Sequence, residues 1–265
     1  AVTKQFTGYG QVYREFDANY DWMHHGESSI YFYYFGLADP NVARDRARTL
    51  RFAGFYIGED KEAQNWDPEK RMIRSPINGS RGPRLVNEWE DWVTHRPVLA
   101  HYPAPFEDIP GVKGPIADWN DDKVYGEILK LLNERQMRCD VPLNLTSTSL
   151  ITHAYLYTGD DKYRQWVLDY IEAWADRIAA NHGICPDNVG PNGIIGETMG
   201  GKWWGGYYGW RWPHGFMSII QPLTISAMNA VLLTGDMGYL DIPRGQLDRM
   251  IDLGRLEGNA LMIPN

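Results

Sequence analysis

One short pattern recurs along this chain and restricts its fold more than any other feature. Residues 154–163 read AYLYTGDDKY and residues 230–239 read AVLLTGDMGY, with Ala, Leu, the Thr-Gly-Asp triplet and Tyr at the same offsets. Residues 34–42, YFGLADPNV, form a degenerate third copy. Each copy is an apolar run, a Gly/Asp turn and a second amphipathic run, which predicts a helical hairpin. A hairpin of this kind leaves one apolar face bare and stacks on its own copies. The fold class expected is therefore all-α, built from repeated helical hairpins.

The individual helices follow from the same periodicity. Ser28–Leu37 and Asn41–Tyr56 read as two helices joined by a tight turn at Ala38–Pro40. Further helices are predicted over Asp122–Arg138, Pro142–Tyr157 and 164–181. In the last of these, Trp166, Tyr170, Ile171, Trp174 and Ile178 share one face and read as core. Residues 217–236 and a weaker segment, Gly245–Leu253, complete the set. The acidic run Asp118–Asp122 lies before a helix and is read as its cap.

Two stretches break the pattern. In 58–121, prolines, glycines and Trp66, Trp89, Trp92 and Trp119 are scattered without period, and so long a loop is usually functional. It holds KRMIRSPINGSRGPR, with Lys70, Arg71, Arg74, Arg81 and Arg84 and no acid, inside a chain of net charge −8. The second stretch, within 187–215, centres on PNGIIGETMGGKWWGGYYGWRWPHGF. Eight glycines there stand among Trp203, Trp204, Trp210 and Trp212. Each glycine disfavours a helix by about 1 kcal/mol relative to alanine, so an irregular loop is expected. Indole faces of this kind suit the apolar faces of sugars, although they can equally fill a core.

Composition narrows the remaining classes. An acidic chain with pI near 5.4 is a poor fit to nucleic acid, which wants a basic surface. No apolar run approaches the ~20 residues of a membrane span. With no linker-like segment, a single domain over 1–265 is expected, with 58–121 and 187–215 inserted in it. The start AVTKQF fits a mature end left by signal cleavage, so a secreted or periplasmic home is expected. Cys139 and Cys185 form either one disulfide or two buried thiols. No metal-ligand spacing or dinucleotide or phosphate-loop fingerprint occurs, so no cofactor is expected. The weak exception is Ca²⁺ beside Asp187 and Asn188. Asn78 and Asn144 fit the glycosylation acceptor pattern.

Repeated helix–TGD–helix units with long aromatic loops between them resemble the (α/α) toroids. These include six-hairpin glycosidases, unsaturated uronyl hydrolases and several polysaccharide lyases. The likeness covers residues 28–56 and 122–254 and is one of pattern. Fewer hairpins can be counted here than a closed ring needs. An incomplete barrel, or one whose remaining helices lie within 58–122, is the expectation.

That resemblance implies work on carbohydrate, with two competing mechanisms. A lyase neutralises the sugar carboxylate, removes the neighbouring proton and protonates the leaving oxygen. Toroidal lyases use Asn or Arg for the first task and His or Tyr for the others. The candidates here are His25, Asn78, Arg81, His101, Tyr207, Tyr208 and His214. Trp22, His24, Glu27, Arg74, Trp203, Trp204, Trp210, Arg211 and Trp212 are the candidate substrate contacts. Five cations in fifteen residues suit a polyuronate, so an anionic poly- or oligosaccharide is the expected partner and β-elimination the expected chemistry. A glycoside hydrolase would instead need a carboxylate pair, for which Glu27 and Glu197 are the best candidates. A non-catalytic glycan-binding protein is the third reading. The elimination reading requires Lys70–Arg84 and Gly200–Gly215 to line one cleft.

Overall fold

A computed structural model describes residues 34, 36–59, 65–74, 105–112, 121–136, 138–212 and 214–263. The described chain is mostly helical. Its principal helices are α1 (Ala43–Gly54), α2 (Asp122–Leu131), α3 (Thr148–Thr158), α4 (Asp161–Ala180), α5 (Met217–Thr234) and α6 (Asp241–Asp252). Two short antiparallel hairpins accompany them: β1 (Trp66–Asp67) with β2 (Met72–Ile73), and β3 (Arg255–Glu257) with β4 (Ala260–Met262).

The sequence repeat is realised atom for atom at its turns. In both full copies a glycine with positive φ, Gly159 (65°) or Gly235 (76°), ends the first helix. Its N–H donates 2.7 Å back to the carbonyl of Tyr155 or Val231, as an αL cap should. The following aspartate, Asp160 or Asp236, then accepts the N–H two residues on, from Lys162 at 3.1 Å or Gly238 at 2.8 Å. Asp39 does the same for Asn41 at 3.1 Å, so the degenerate copy keeps the same turn chemistry.

The hairpins also repeat one packing arrangement. Each first helix packs on its own second helix, α3 on α4 and α5 on α6. The second helix of one copy meets the first helix of the next: α1 packs on α3, and α4 on α5. The first helices α3 and α5 touch each other. The face of α4 predicted as core is buried at Trp166, Tyr170, Ile171 and Trp174, and Ile178 packs at its edge. By length and composition α5 could cross a membrane; here it packs on α3, α4, α6 and the 3-10 turn at Pro142–Ser147, as a core helix does.

Several elements differ from expectation. The helix begun at Asp122 runs α-helical only to Leu131 and widens into a π-helical turn over Leu132–Gln136. Asp121 is its cap, accepting from the N–H groups of Lys123 (2.9 Å) and Val124 (3.0 Å). The predicted helix Pro142–Tyr157 splits into the 3-10 turn and α3. The weak last helix begins four residues early, at Asp241 rather than Gly245. Cys139 and Cys185 are separate buried thiols, so the disulfide alternative is set aside. Asn144 is fully enclosed and donates 2.8 Å to Asp140, which removes it as a glycosylation acceptor.

Candidate functional site

The Gly/aromatic loop is shaped by one carboxylate. Asp187 is fully buried, and each of its oxygens accepts two N–H groups. Oδ1 takes Gly206 N (2.8 Å) and Asn188 Nδ2 (3.0 Å); Oδ2 takes Gly205 N (2.9 Å) and Trp210 N (2.9 Å). Burial raises the Asp187 carboxyl pKa above the ordinary range, and these four bonds act against that rise. The backbone must come very close to supply them. A Cβ on Gly206 would sit 2.0 Å from the Asp187 carbonyl oxygen, and one on Gly209 would sit 2.1 Å from Oδ2. Neither position tolerates a side chain. With all four acceptor directions filled, Asp187 is not a Ca²⁺ ligand. Among the described residues no three His, Cys, Asp or Glu side chains gather as a metal-ligand set.

Winding the loop around Asp187 sorts its rings into two groups. Tyr207 (0% exposed) and Trp212 (1%) turn inward, with ring centroids 5.8 Å apart, and belong to the hydrophobic core. Expected as catalyst and sugar contact, they are packing residues, because an enclosed ring cannot meet a ligand. Tyr208 (4%) is also core and holds a positive φ of 49°. Its ring stands 5.5 Å from that of His214, which is exposed.

Trp203, Trp204 and Trp210 instead are half-buried and line a cavity of about 920 Å³. Trp203 and Trp210 meet edge to face at 6.2 Å, and Phe216 stacks on Trp210 at 5.7 Å. The Trp210 indole N–H is fixed by the Cys185 carbonyl at 2.7 Å. Arg211 and His214 enter the same cavity from the loop, and Gln246, Arg249 and Met250 enter from α6, with Leu253 at its C-cap. Gln246 anchors that helix face by accepting from Cys185 N (2.8 Å) and donating to Gly183 O (2.9 Å).

The cavity's charges are all of one sign. Among the described residues no Asp or Glu lines it. Arg211 reaches out to Glu107 at 2.5 Å. Arg249 has no ion pair among the described residues, and its buried Nε meets no acceptor there. Sequence reading missed Arg249. The available signal was its place with Gln246, Met250 and Leu253 at helical spacing on one face.

The described part of the basic segment, residues 70–74, does not supply these cations. It is held elsewhere: Lys70 pairs with Asp67 (2.8 Å) and Arg71 with Asp176 (2.6 Å). Arg177, itself paired to buried Asp140 at 3.1 Å, clamps the carbonyls of Lys70 (3.3 Å) and Arg71 (3.1 Å). Lys70, Arg71 and Arg74 are not among the residues that line the cavity, so this part of the expected convergence is corrected. Asn78, Arg81 and Arg84 lie outside the described residues, as do Trp22, His24, His25, Glu27 and His101. Glu197 is taken up in its own turn, accepting from Asn192 N at 2.9 Å and from Asn192 Nδ2.

The DUF8034 family model, described as a domain of unknown function, matches residues 1–261, and the chain belongs to that family. No curated protein and no solved structure matches it.

Proposed function

We propose that this DUF8034 domain binds a uronic-acid-containing saccharide in the indole-lined cavity and cleaves it by β-elimination. One observation carries the reading. A cavity of about 920 Å³ is walled by Trp203, Trp204, Trp210 and Phe216 and carries Arg211, Arg249 and His214, with no carboxylate among its described lining residues. Indole faces take up the apolar side of a sugar ring, and guanidinium forks take a carboxylate in two-pronged fashion.

The chemistry assigned to these groups balances without a cofactor. Arg249 and Arg211 neutralise the uronate carboxylate, which acidifies the carbon-bound proton next to it. The imidazole of His214 accepts that proton as the general base. The electron pair left behind forms the carbon–carbon double bond, the glycosidic carbon–oxygen bond breaks, and the leaving oxygen takes a proton from the His214 imidazolium, which restores the imidazole. Hydrolysis by a carboxylate pair is the weaker reading, because among the described residues no carboxylate lines this cavity and Glu197 is engaged in its own turn. In this reading the stacked hairpins are part of an (α/α) toroid, supported by the recurring order in which second helices pack on the next first helix.

The test is direct. Purified protein is mixed with polygalacturonate, alginate, glucuronan and glycosaminoglycans, and absorbance of the unsaturated product is followed in the ultraviolet. Activity is expected on at least one, abolished by His214→Ala and reduced at least tenfold by Arg249→Met. Saturable binding with no absorbance change would leave a glycan-binding protein. Reducing ends without the chromophore would mean hydrolysis.

A further inference from the structure

A second, smaller cavity of about 430 Å³ adjoins the first, and Trp204 and Arg211 line both. Its character is different. In place of stacked rings it presents Glu107, Asp108, Arg135, Thr198 and Lys202. Two of its cations are committed: Arg135 binds Asp108 through both guanidinium nitrogens (2.9 and 2.6 Å), and Arg211 binds Glu107. Lys202 is the exception. No ion pair reaches its ammonium among the described residues, and it stands 5.1 Å over the Trp204 ring. With each arginine matched by one carboxylate, Lys202 leaves this cavity one positive charge in excess.

The boundary between the cavities is built to be shared. Trp204 shows ring to the first cavity and carries the Lys202 cation beside the second. Arg211 is reachable from both, and the Glu107 side chain that holds it is 73% exposed. An ion pair so exposed is weak and readily exchanged for a ligand carboxylate.

Resting on the reading of the first cavity as a uronate site, we infer that the second is a subsite for the adjoining residue of the same chain. Lys202 is its anion-recognising group, and the ligand is an oligomer lying across Trp204. The ligand carboxylate at the boundary takes Arg211 from Glu107.

Calorimetric titration with galacturonate and mannuronate ladders, monomer to tetramer, tests this. For the wild-type protein, affinity should rise at least tenfold between the monomer and the trimer. Lys202→Gln should remove that step and leave monomer affinity unchanged. Glu107→Gln should free Arg211 and strengthen trimer binding severalfold. Monomer binding that depends on Trp203, shown by Trp203→Ala, but with no length step or with a step indifferent to Lys202→Gln, overturns the subsite and spares the first cavity. If no member of either ladder binds, the first cavity's assignment fails and this one with it.

Discussion

Asp140 and Asp187 are both fully buried, both accept four hydrogen bonds, and both divide them two to an oxygen, yet they do different work. The donors to Asp140 are Asn144 Nδ2 and the Tyr170 hydroxyl on one oxygen, with Ile73 N and Arg177 Nη1 on the other. Three of these are side chains, one is a cation, and they come from three separate parts of the chain: β2, the 3-10 turn and α4. Asp187 instead takes three backbone N–H groups from one loop and one neighbouring amide. The first carboxylate ties distant elements together; the second bends a single segment. They are joined through the ladder Asp140 N to Val189 O (2.8 Å) and Val189 N to Asp140 O (2.9 Å). The lesson concerns substitution. A site built from side chains can be rebuilt by a second change, whereas one built from backbone depends on glycines that nothing can replace.

The largest effect expected is at the charged pair. Asp140→Asn leaves the Arg177 guanidinium buried without its countercharge, and urea unfolding should show a loss of about 3–5 kcal/mol. Adding Arg177→Met should recover part of that loss, because the orphaned cation is removed with its partner. Equal losses in the single and double variants would erase the contrast drawn here.

Next in size is Asp187→Asn, at about 3 kcal/mol. Its amide turns a donor toward two N–H groups, each of which costs about 1–3 kcal/mol unpaired. No second side-chain change should restore it. Rescue by a substitution at Trp210 or Tyr208 would show that side chains, not backbone, hold the loop.

A buried base supplies the opposite sign and the smallest effect. Burial, with Arg48 nearby and Asp45 acting against it, lowers the His153 pKa from 6.5 to about 4. Between those values the unfolded chain binds the proton and the folded chain does not. Stability from this group is therefore full above pH 6.5 and is lost as pH falls toward 4, by about 2–3 kcal/mol at 1.36 kcal/mol per pH unit. His153→Gln should flatten that part of the stability–pH curve. An unchanged slope would remove His153 from the account.

Much of the scaffold was legible because its signals are local. Gly159 and Gly235 close their helices through bonds to residues four back, and Asp39, Asp160 and Asp236 cap residues two ahead. The π-helical turn at Leu132–Gln136 left no such mark. The start of α6 was obscured by Gly245, which weakens a helical pattern without breaking it. All four indoles of the loop are named from sequence and three of them line the cavity, but nothing in WWGGYYGWRW separates Trp210 from Trp212. The Trp210 N–H bonded to Asp187 and its indole bonded to Cys185 make that distinction.

The sequence alone determined the hairpins, their turns and a glycine-dependent aromatic loop, since these rest on residues within a few positions of each other. Tertiary structure decided which rings face outward and which cations are committed. Arg71 meets Asp176 and Arg211 meets Glu107 across more than a hundred residues of chain. A count of charges in a segment says nothing about such partners, because neutralisation depends on distance in space and not on spacing along the polypeptide.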